Sequence, residues 1–397
     1  MRVMALRSLI NTFGNGLFMT VEVIYLTRKV GLSAHEVGLG FTLATAIALP
    51  ISVPIGHLAD RVRLRNYLIL MQLIVGLIAS CYIFINGFAL FVALTIGAEV
   101  VMAASQTLYM AYITRLSGGG EERVRYRAVM RSATNLGIGL GTAFAGIALA
   151  IDTKVAYQAL IVINGITFII SGLVGFKLPN PDGALSADSA TVPKQSRLVA
   201  LRDKRYVTAT FLNGIYSIHF IIQNIGIPLW IVNYTHAPRW WVSVVLVINT
   251  AAVVLFSVRF SQGTGNIDYA AKAFRRAGFF VASGCLLYAL ANGASAVVAS
   301  AWLVLGMVLH VTGELLGSGA GWGLGFGLAQ EEFQGQYQGV WQLGWGIGGI
   351  IGPAFVTAMV VDLHKWGWVV MGLVMLITTY LFTPLTRSYR APAAVDA

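Results

Sequence analysis

Three carboxylates stand inside long apolar stretches of the chain: Glu22, Glu99 and Glu314. A carboxylate held in hydrocarbon costs roughly 2.5–3.5 kcal/mol on insertion scales, so such a group is rarely idle. Each can hold a proton until water or an opposite charge arrives, which is the behaviour a proton-coupled carrier requires. The competing reading is a neutral carboxyl hydrogen-bonded into helix packing. Glu22 lies about 9 Å of helical rise from Arg28, so it can also reach toward the membrane surface. His310 precedes Glu314 by one turn, which puts both on one helix face as a pH-responsive pair. A histidine hydrogen-bonded into the packing is the alternative.

A second group of residues could line a cavity: Asn15, Asn213, His219, Gln223, Asn224, Trp341 and Trp345. His219, Gln223 and Asn224 follow one another at four- and five-residue spacing, broadly one side of a helix. Hydrogen bonds between helices would account for them equally well. Trp341 and Trp345, one turn apart, suit an amphiphilic aromatic ligand or contact with lipid. Trp230, Trp240 and Trp241 fall near the ends of apolar runs and read as interfacial belt residues. Glycines at 317, 319, 321, 323, 325 and 327 alternate along one run, which serves either tight helix packing or a hinge. Cys81 and Cys285 read as small core residues without disulfide or metal spacing. There is no phosphate-binding Gly-x4-Gly-Lys-Ser/Thr loop and no nucleophile elbow. The expectation is therefore no catalytic residue, no metal, no cofactor and no enzyme activity.

The elements that hold these groups follow from composition. Hydrophobic residues make up 57% of the 397 positions and charged residues only 11%, with a mean hydropathy of +0.75. A soluble domain carries about 25% charged residues. The apolar residues fall in runs of roughly 20 or more, enough to cross a hydrocarbon core. Inside lipid such runs must be helices, because the backbone has no water to bond. The predicted spans are 7–27, 36–59, 66–86, 88–114, 128–151, 155–176, 206–233, 240–260, 273–292, 296–328, 337–361 and 366–385. The fold class expected is an all-α integral membrane protein of twelve transmembrane helices in two pseudo-symmetric six-helix bundles. A polar, aperiodic stretch at 178–205 separates 1–177 from 206–397 as a cytoplasmic linker. Tyr126, Val129, Gly137 and Gly141 echo Tyr337, Val340, Gly348 and Gly352 at an offset of 211, and Glu99 echoes Glu314 at 215. An even number of crossings per half makes the repeats parallel.

A net charge of +11 invites a nucleic-acid reading. Its distribution argues for topology instead. With both termini cytoplasmic, only Arg28, Lys29, Lys154, Arg239 and Lys365 fall outside, and Arg131 lies within a span. The remaining basic residues all face the cytoplasm, as the positive-inside rule requires. The first apolar run lacks a small-residue cleavage site and reads as an uncleaved helix in the cell (inner) membrane.

The segment between the second and third spans, Gly56-His-Leu-Ala-Asp60-Arg61-Val-Arg63-Leu-Arg65, closely resembles motif A of the major facilitator superfamily. Glu331 through Gly339 resembles that family's loop before the eleventh helix, and Gly31-Leu-Ser33 through Val37-Gly38 resembles its start of the second. The resemblance implies a secondary active transporter working by alternating access. It also implies a conformational latch at Gly56, Asp60, Arg61 and Arg65, with Asp60 facing the positive start of the eleventh helix and Arg61 and Arg65 pairing with Glu121, Glu122 or headgroups. The helix-4 motif carries Glu99 where the family usually has Arg. The fifth span lacks the Pro of drug antiporters, and the second copy of motif A is degenerate around Arg259 to Gly265. First-half acids such as Glu22 serve as coupling groups in many drug antiporters. The resemblance to that branch points to proton-coupled efflux of a small hydrophobic or amphiphilic molecule, a drug or antibiotic-like metabolite. A proton-coupled importer of a small polar nutrient and a non-transporting membrane sensor are the alternatives. The expected partners are a small-molecule substrate, protons and the lipid bilayer, with no nucleic acid and a monomeric state.

Overall fold

Helix ends are set by short polar signals. Gly31, at a φ of +91°, turns the chain out of the first span in a region that a Cβ disfavours. Ser33 Oγ then accepts from the Glu36 N–H at 3.2 Å, while Glu36 Oε2 accepts from the Ser33 N–H at 2.8 Å, a reciprocal capping box. Thr153, Asp203 and Asn266 cap later helices through one such bond each.

The computed structural model describes residues 2–59, 62–117, 119–180 and 199–387. Among these residues there is no strand, and twelve helices are long and apolar enough to cross a membrane. They are α1 (Arg2–Val30), α2 (His35–Ala59), α3 (Leu64–Phe84), α4 (Phe88–Leu116), α5 (Gly120–Ile151), α6 (Lys154–Lys177), α7 (Lys204–Tyr234), α8 (Trp241–Phe260), α9 (Ile267–Leu290), α10 (Ala296–Gly327), α11 (Glu331–Val361) and α12 (His364–Thr386). The expected all-α class holds. α5, α9 and α11 start one to two turns before the predicted spans. Their first turns are polar, and acids such as Glu121, Glu122 and Asp268 complement the positive helix start. The predicted linker is helical at its end, over Val199–Arg202, and its middle lies outside the described residues.

The chain forms two compact units. One comprises Met1–Gly118, Val129–Val199 and Glu331–Gly339; the other comprises Gly119–Ala128, Ala200–Gln330 and Val340–Ala397. Relative to a division at the linker, the first turns of α5 and α11 change sides.

Each unit ties its first helix to its last with an arginine. In the first, Arg7 is buried and donates from Nε to the Ser171 carbonyl at 3.2 Å and from Nη2 to Leu68 O at 3.4 Å. In the second, Arg205 donates to the Leu385 carbonyl near the end of α12. Leu385 lies in the last turn of α12, where carbonyls have no partner within the helix, so Arg205 satisfies an orphan acceptor. Ser171 O also accepts the Gly175 N–H, so Arg7 adds a second donor there. Arg7→Met removes two hydrogen bonds made by a buried charged donor, and the expected loss is roughly 1–3 kcal/mol. Thermal unfolding in detergent measures it; an unchanged midpoint would count against the tie.

The arginines mark a repeat that sequence reading missed. Arg7, Thr12, Phe13, Asn15 and Gly16 align with Arg205, Thr210, Phe211, Asn213 and Gly214 at a constant separation of 198 residues. Both helices carry a π-helical turn at matching positions, Tyr25–Val30 and Ile222–Gly226. The helices crossing them correct the expected register. Gly137 packs on Leu9 and Thr12 and Gly141 on Phe13 and Gly16; Gly344 packs on Thr210 and Gly348 on Gly214 and Ser217. Gly137 and Gly141 therefore correspond to Gly344 and Gly348, at an offset of 207. The expected 211 is one helical turn off, an error that glycine-rich helices invite because a four-residue slip still pairs glycine with glycine.

Within the second unit the α10 glycines form two interleaved stripes. Gly317, Gly321 and Gly325 take Tyr216, Asn213 and Trp341; Gly319, Gly323 and Gly327 take Ser261, Thr264 and Ile267. Four-residue spacing places each stripe on one side of α10, and the absent side chains let neighbours come close. Two assignments need correction. Trp230 is no belt residue: it is fully buried, donates Nε1–H to the Tyr288 carbonyl at 2.7 Å and meets Trp368 edge-on. Cys81 is exposed, so only Cys285 is a core residue. In the first unit, the Asp152 carboxyl beyond the end of α5 accepts from the Tyr157 hydroxyl at 2.7 Å and pairs with Lys29 at 3.0 Å. Those contacts, the hydroxyl first, hold it below the usual aspartate range.

Candidate functional site

The second unit carries the best-formed polar centre. Glu314 on α10 is only 2% exposed. Asn249 on α8 donates from Nδ2 to Glu314 Oε2 at 2.6 Å and to Gln223 Oε1 on α7 at 3.0 Å. All three side chains are buried. A buried carboxyl needs such donors, and an amide can serve it in either protonation state. Gln223 meets Asn249 from within the π-helical turn of α7, Ile222–Gly226, which ends two residues ahead of Pro228, a residue with no N–H to continue a regular ladder. Such turns recur at functional positions because they re-aim side chains. The same turn separates two expected neighbours. Asn224 is exposed and its amide bonds back to the Phe220 carbonyl at 2.9 Å. Asn249 was not among the expected residues, yet it is the one carboxamide in a largely apolar span.

His310 does not pair with Glu314. It is fully buried, and neither ring nitrogen makes a hydrogen bond of normal geometry. Its ring lies 5.6 Å from that of His219 and 6.1 Å from that of Tyr288. One turn on a helix aligns Cβ atoms, but the imidazole turns toward aromatic neighbours rather than along the axis.

A narrow cleft of about 10 Å3 in the same unit, space for roughly one water, is lined by aromatic and small polar groups. Tyr216, Trp322, Trp341 and Trp345 supply the rings; Asn213, Ser217, His219 and Ser318 supply polar atoms. Gly317, three residues after Glu314 on α10, also lines it, which puts the acid about 4.5 Å of helical rise away. Trp345 packs near Phe220 and Trp341 near Tyr206, with ring centroids 5.5 Å apart in each case. Of the expected cavity residues, Asn213, His219, Trp341 and Trp345 thus meet at one place.

In the first unit, Glu22 on α1 is half-buried and Glu99 on α4 is exposed. The two carboxyls lie within electrostatic reach of one another and of Tyr82, whose hydroxyl bonds Thr95 Oγ1 at 2.9 Å. Asn15 is half-buried on α1 and occupies the repeat position of Asn213.

Of the expected latch, Asp60 and Arg61 lie outside the described residues. Gly56 packs against the Gly335 carbonyl, and Ser52 Oγ donates to Gly339 O at 3.2 Å. Arg115 grips the end of α2, donating to Ala59 O at 2.7 Å and Val62 O at 3.2 Å. Within the second unit Glu121 accepts the backbone N–H groups of Gly263 and Gly265, at 2.8 and 3.0 Å. That segment is where the degenerate second copy of the motif falls.

Known structures share this architecture. The human organic anion transporter TETRAN superposes with a TM-score of 0.69 at 15% identity, covering 96% of this chain and 98% of its own. A bacterial homologue of the iron transporter ferroportin, outward-facing, gives 0.74 at 13% identity over 98% of both chains. The proton:xylose symporter XylE gives 0.68 at 14%, over 97% and 94% respectively. No curated protein matches the sequence. The family model of the Major Facilitator Superfamily matches residues 4–330. With twelve spans and that match over most of its length, the chain belongs to the Major Facilitator Superfamily and is a multi-pass membrane transporter.

Proposed function

We propose that this transporter exports a small hydrophobic or amphiphilic molecule in exchange for protons, by alternating access, as a monomer in the cell (inner) membrane. Both termini are cytoplasmic on this reading, as the distribution of basic residues favours. The observation that carries it is Glu314, buried and bonded to Asn249, one turn from a cleft rich in aromatic rings. An acid in that position binds a proton from one side and yields it when the cleft refills with cargo or water. Rings with a few small polar atoms suit a molecule that is mostly apolar and carries one or two hydrogen-bonding groups. Glu22 and Glu99 form a second acidic centre in the other unit and can add to the proton pathway. His310 holds the aromatic wall behind the acid.

Everted vesicles energised to be acid inside test the direction. Proton-driven export predicts that a cargo drawn from a chemically broad toxin panel accumulates within them, and that cells expressing the protein tolerate the same compound. A compound that leaves acid vesicles instead would establish import.

A further inference from the structure

The charged end of α9 carries a feature that transport does not use. Lys272, Arg275 and Arg276, together with Phe279 and Phe280 and with Tyr380 of α12, line a groove of about 340 Å3 within the second unit. Lys272 and Arg276 are exposed and Arg275 half-buried. Below them, Phe279 and Tyr380 are 58% and 56% exposed. Lys272, Arg276 and Phe279 follow at four- and three-residue spacing, so they form one stripe on the helix. From Lys272 to Phe279 the helix rises about 10 Å, roughly the depth from a phosphate to the first methylenes of an acyl chain. Among the described residues none of the three cations is in an ion pair, and the exposed Asp268 one turn earlier is in none either.

Basic residues that only set topology need no groove and no aromatic floor. Here three cations converge above exposed rings, on helices that cross hydrocarbon. A soluble anion would use the cations and leave the rings idle. We propose that this groove is a binding site for one anionic phospholipid, with its phosphate held by Lys272, Arg275 and Arg276 and its acyl chains lying over Phe279, Phe280 and Tyr380. Clusters of basic residues at the cytoplasmic face recognise anionic headgroups by charge, and aromatic rings settle at the interface below them. The site stands apart from the transport reading and does not depend on it.

Native mass spectrometry of the delipidated protein, offered phosphatidylglycerol or phosphatidylcholine, tests this. The expected result is one phosphatidylglycerol retained at energies that strip phosphatidylcholine. K272Q/R275Q/R276Q should lose that adduct, with retention weakened on the order of a hundredfold. K272R/R275K/R276K should keep it, which separates charge from misfolding, and F279A/Y380A should lower it through the acyl chains. R202Q/K204Q, which removes charge elsewhere, should leave it unchanged. Equal retention of both lipids, an adduct that survives the triple Gln variant, or displacement by inorganic phosphate would each overturn the proposal.

Discussion

Glu314→Gln should abolish pH-driven accumulation of cargo while sparing downhill exchange. Glutamine keeps the size of the side chain and an oxygen that can accept from Asn249 Nδ2, now 2.6 Å from the carboxylate. The buried cluster with Gln223 can therefore persist, and folding should change little. What glutamine cannot do is take up and release a proton. If Glu314 carries the coupling proton, flux driven by a pH gradient falls to the level of protein-free vesicles, and counterflow between labelled and unlabelled cargo continues. Expressing cells should lose tolerance to the exported compound to the same degree. A neutral packing carboxyl would leave both activities intact. Loss of both together with a lowered thermal midpoint would mean damage to the fold instead.

The second large effect concerns packing. A Cβ on Gly323 would be driven into the Thr264 carbonyl, and backbone cannot rotate aside as a side chain can. Overpacking costs typically about 1–3 kcal/mol, and Gly323→Leu, with a whole isobutyl group at that contact, should reach or exceed the upper end. Little folded protein should be recovered from membranes. Gly349, also in a membrane helix, has nothing within reach of a Cβ. Gly349→Ala should be neutral or stabilise by up to about 1 kcal/mol, because alanine is the better helix former. Comparing monodisperse yield and thermal midpoint for the two variants distinguishes close approach from a general need for glycine. Equal tolerance of both would remove the packing role of the α10 stripes.

The contrast between these two residues shows what a linear reading can reach. The twelve spans were legible because apolar runs of membrane length have one solution in lipid. Their starts were less so: Glu121 to Arg127 look like loop, yet they continue α5 toward the polar side. Glu314 was legible as an acid in an apolar run, and Trp341 and Trp345 as a pair facing one way. Asn249 was not singled out, since one amide in a hydrophobic helix says nothing of which helix it meets. The His310–Glu314 pairing failed for a related reason. Helical spacing puts two residues on one face, but neighbouring helices decide where each side chain turns. The repeat in α1 and α7, Thr-Phe-x-Asn-Gly, was missed because five residues are short against so apolar a background, and only the glycine crossings show that the register first apparent in α5 and α11 is one turn off.

Proton movement counted against cargo movement is the most direct test of Glu314 as the coupling group. Proteoliposomes holding an internal pH dye, given a radiolabelled compound from the toxin panel, report both quantities in one experiment. Coupling through Glu314 requires a fixed number of protons to leave with each molecule taken up by the wild type, and none with the residual flux of Glu314→Gln. A variant that still moves protons in step with cargo would contradict it.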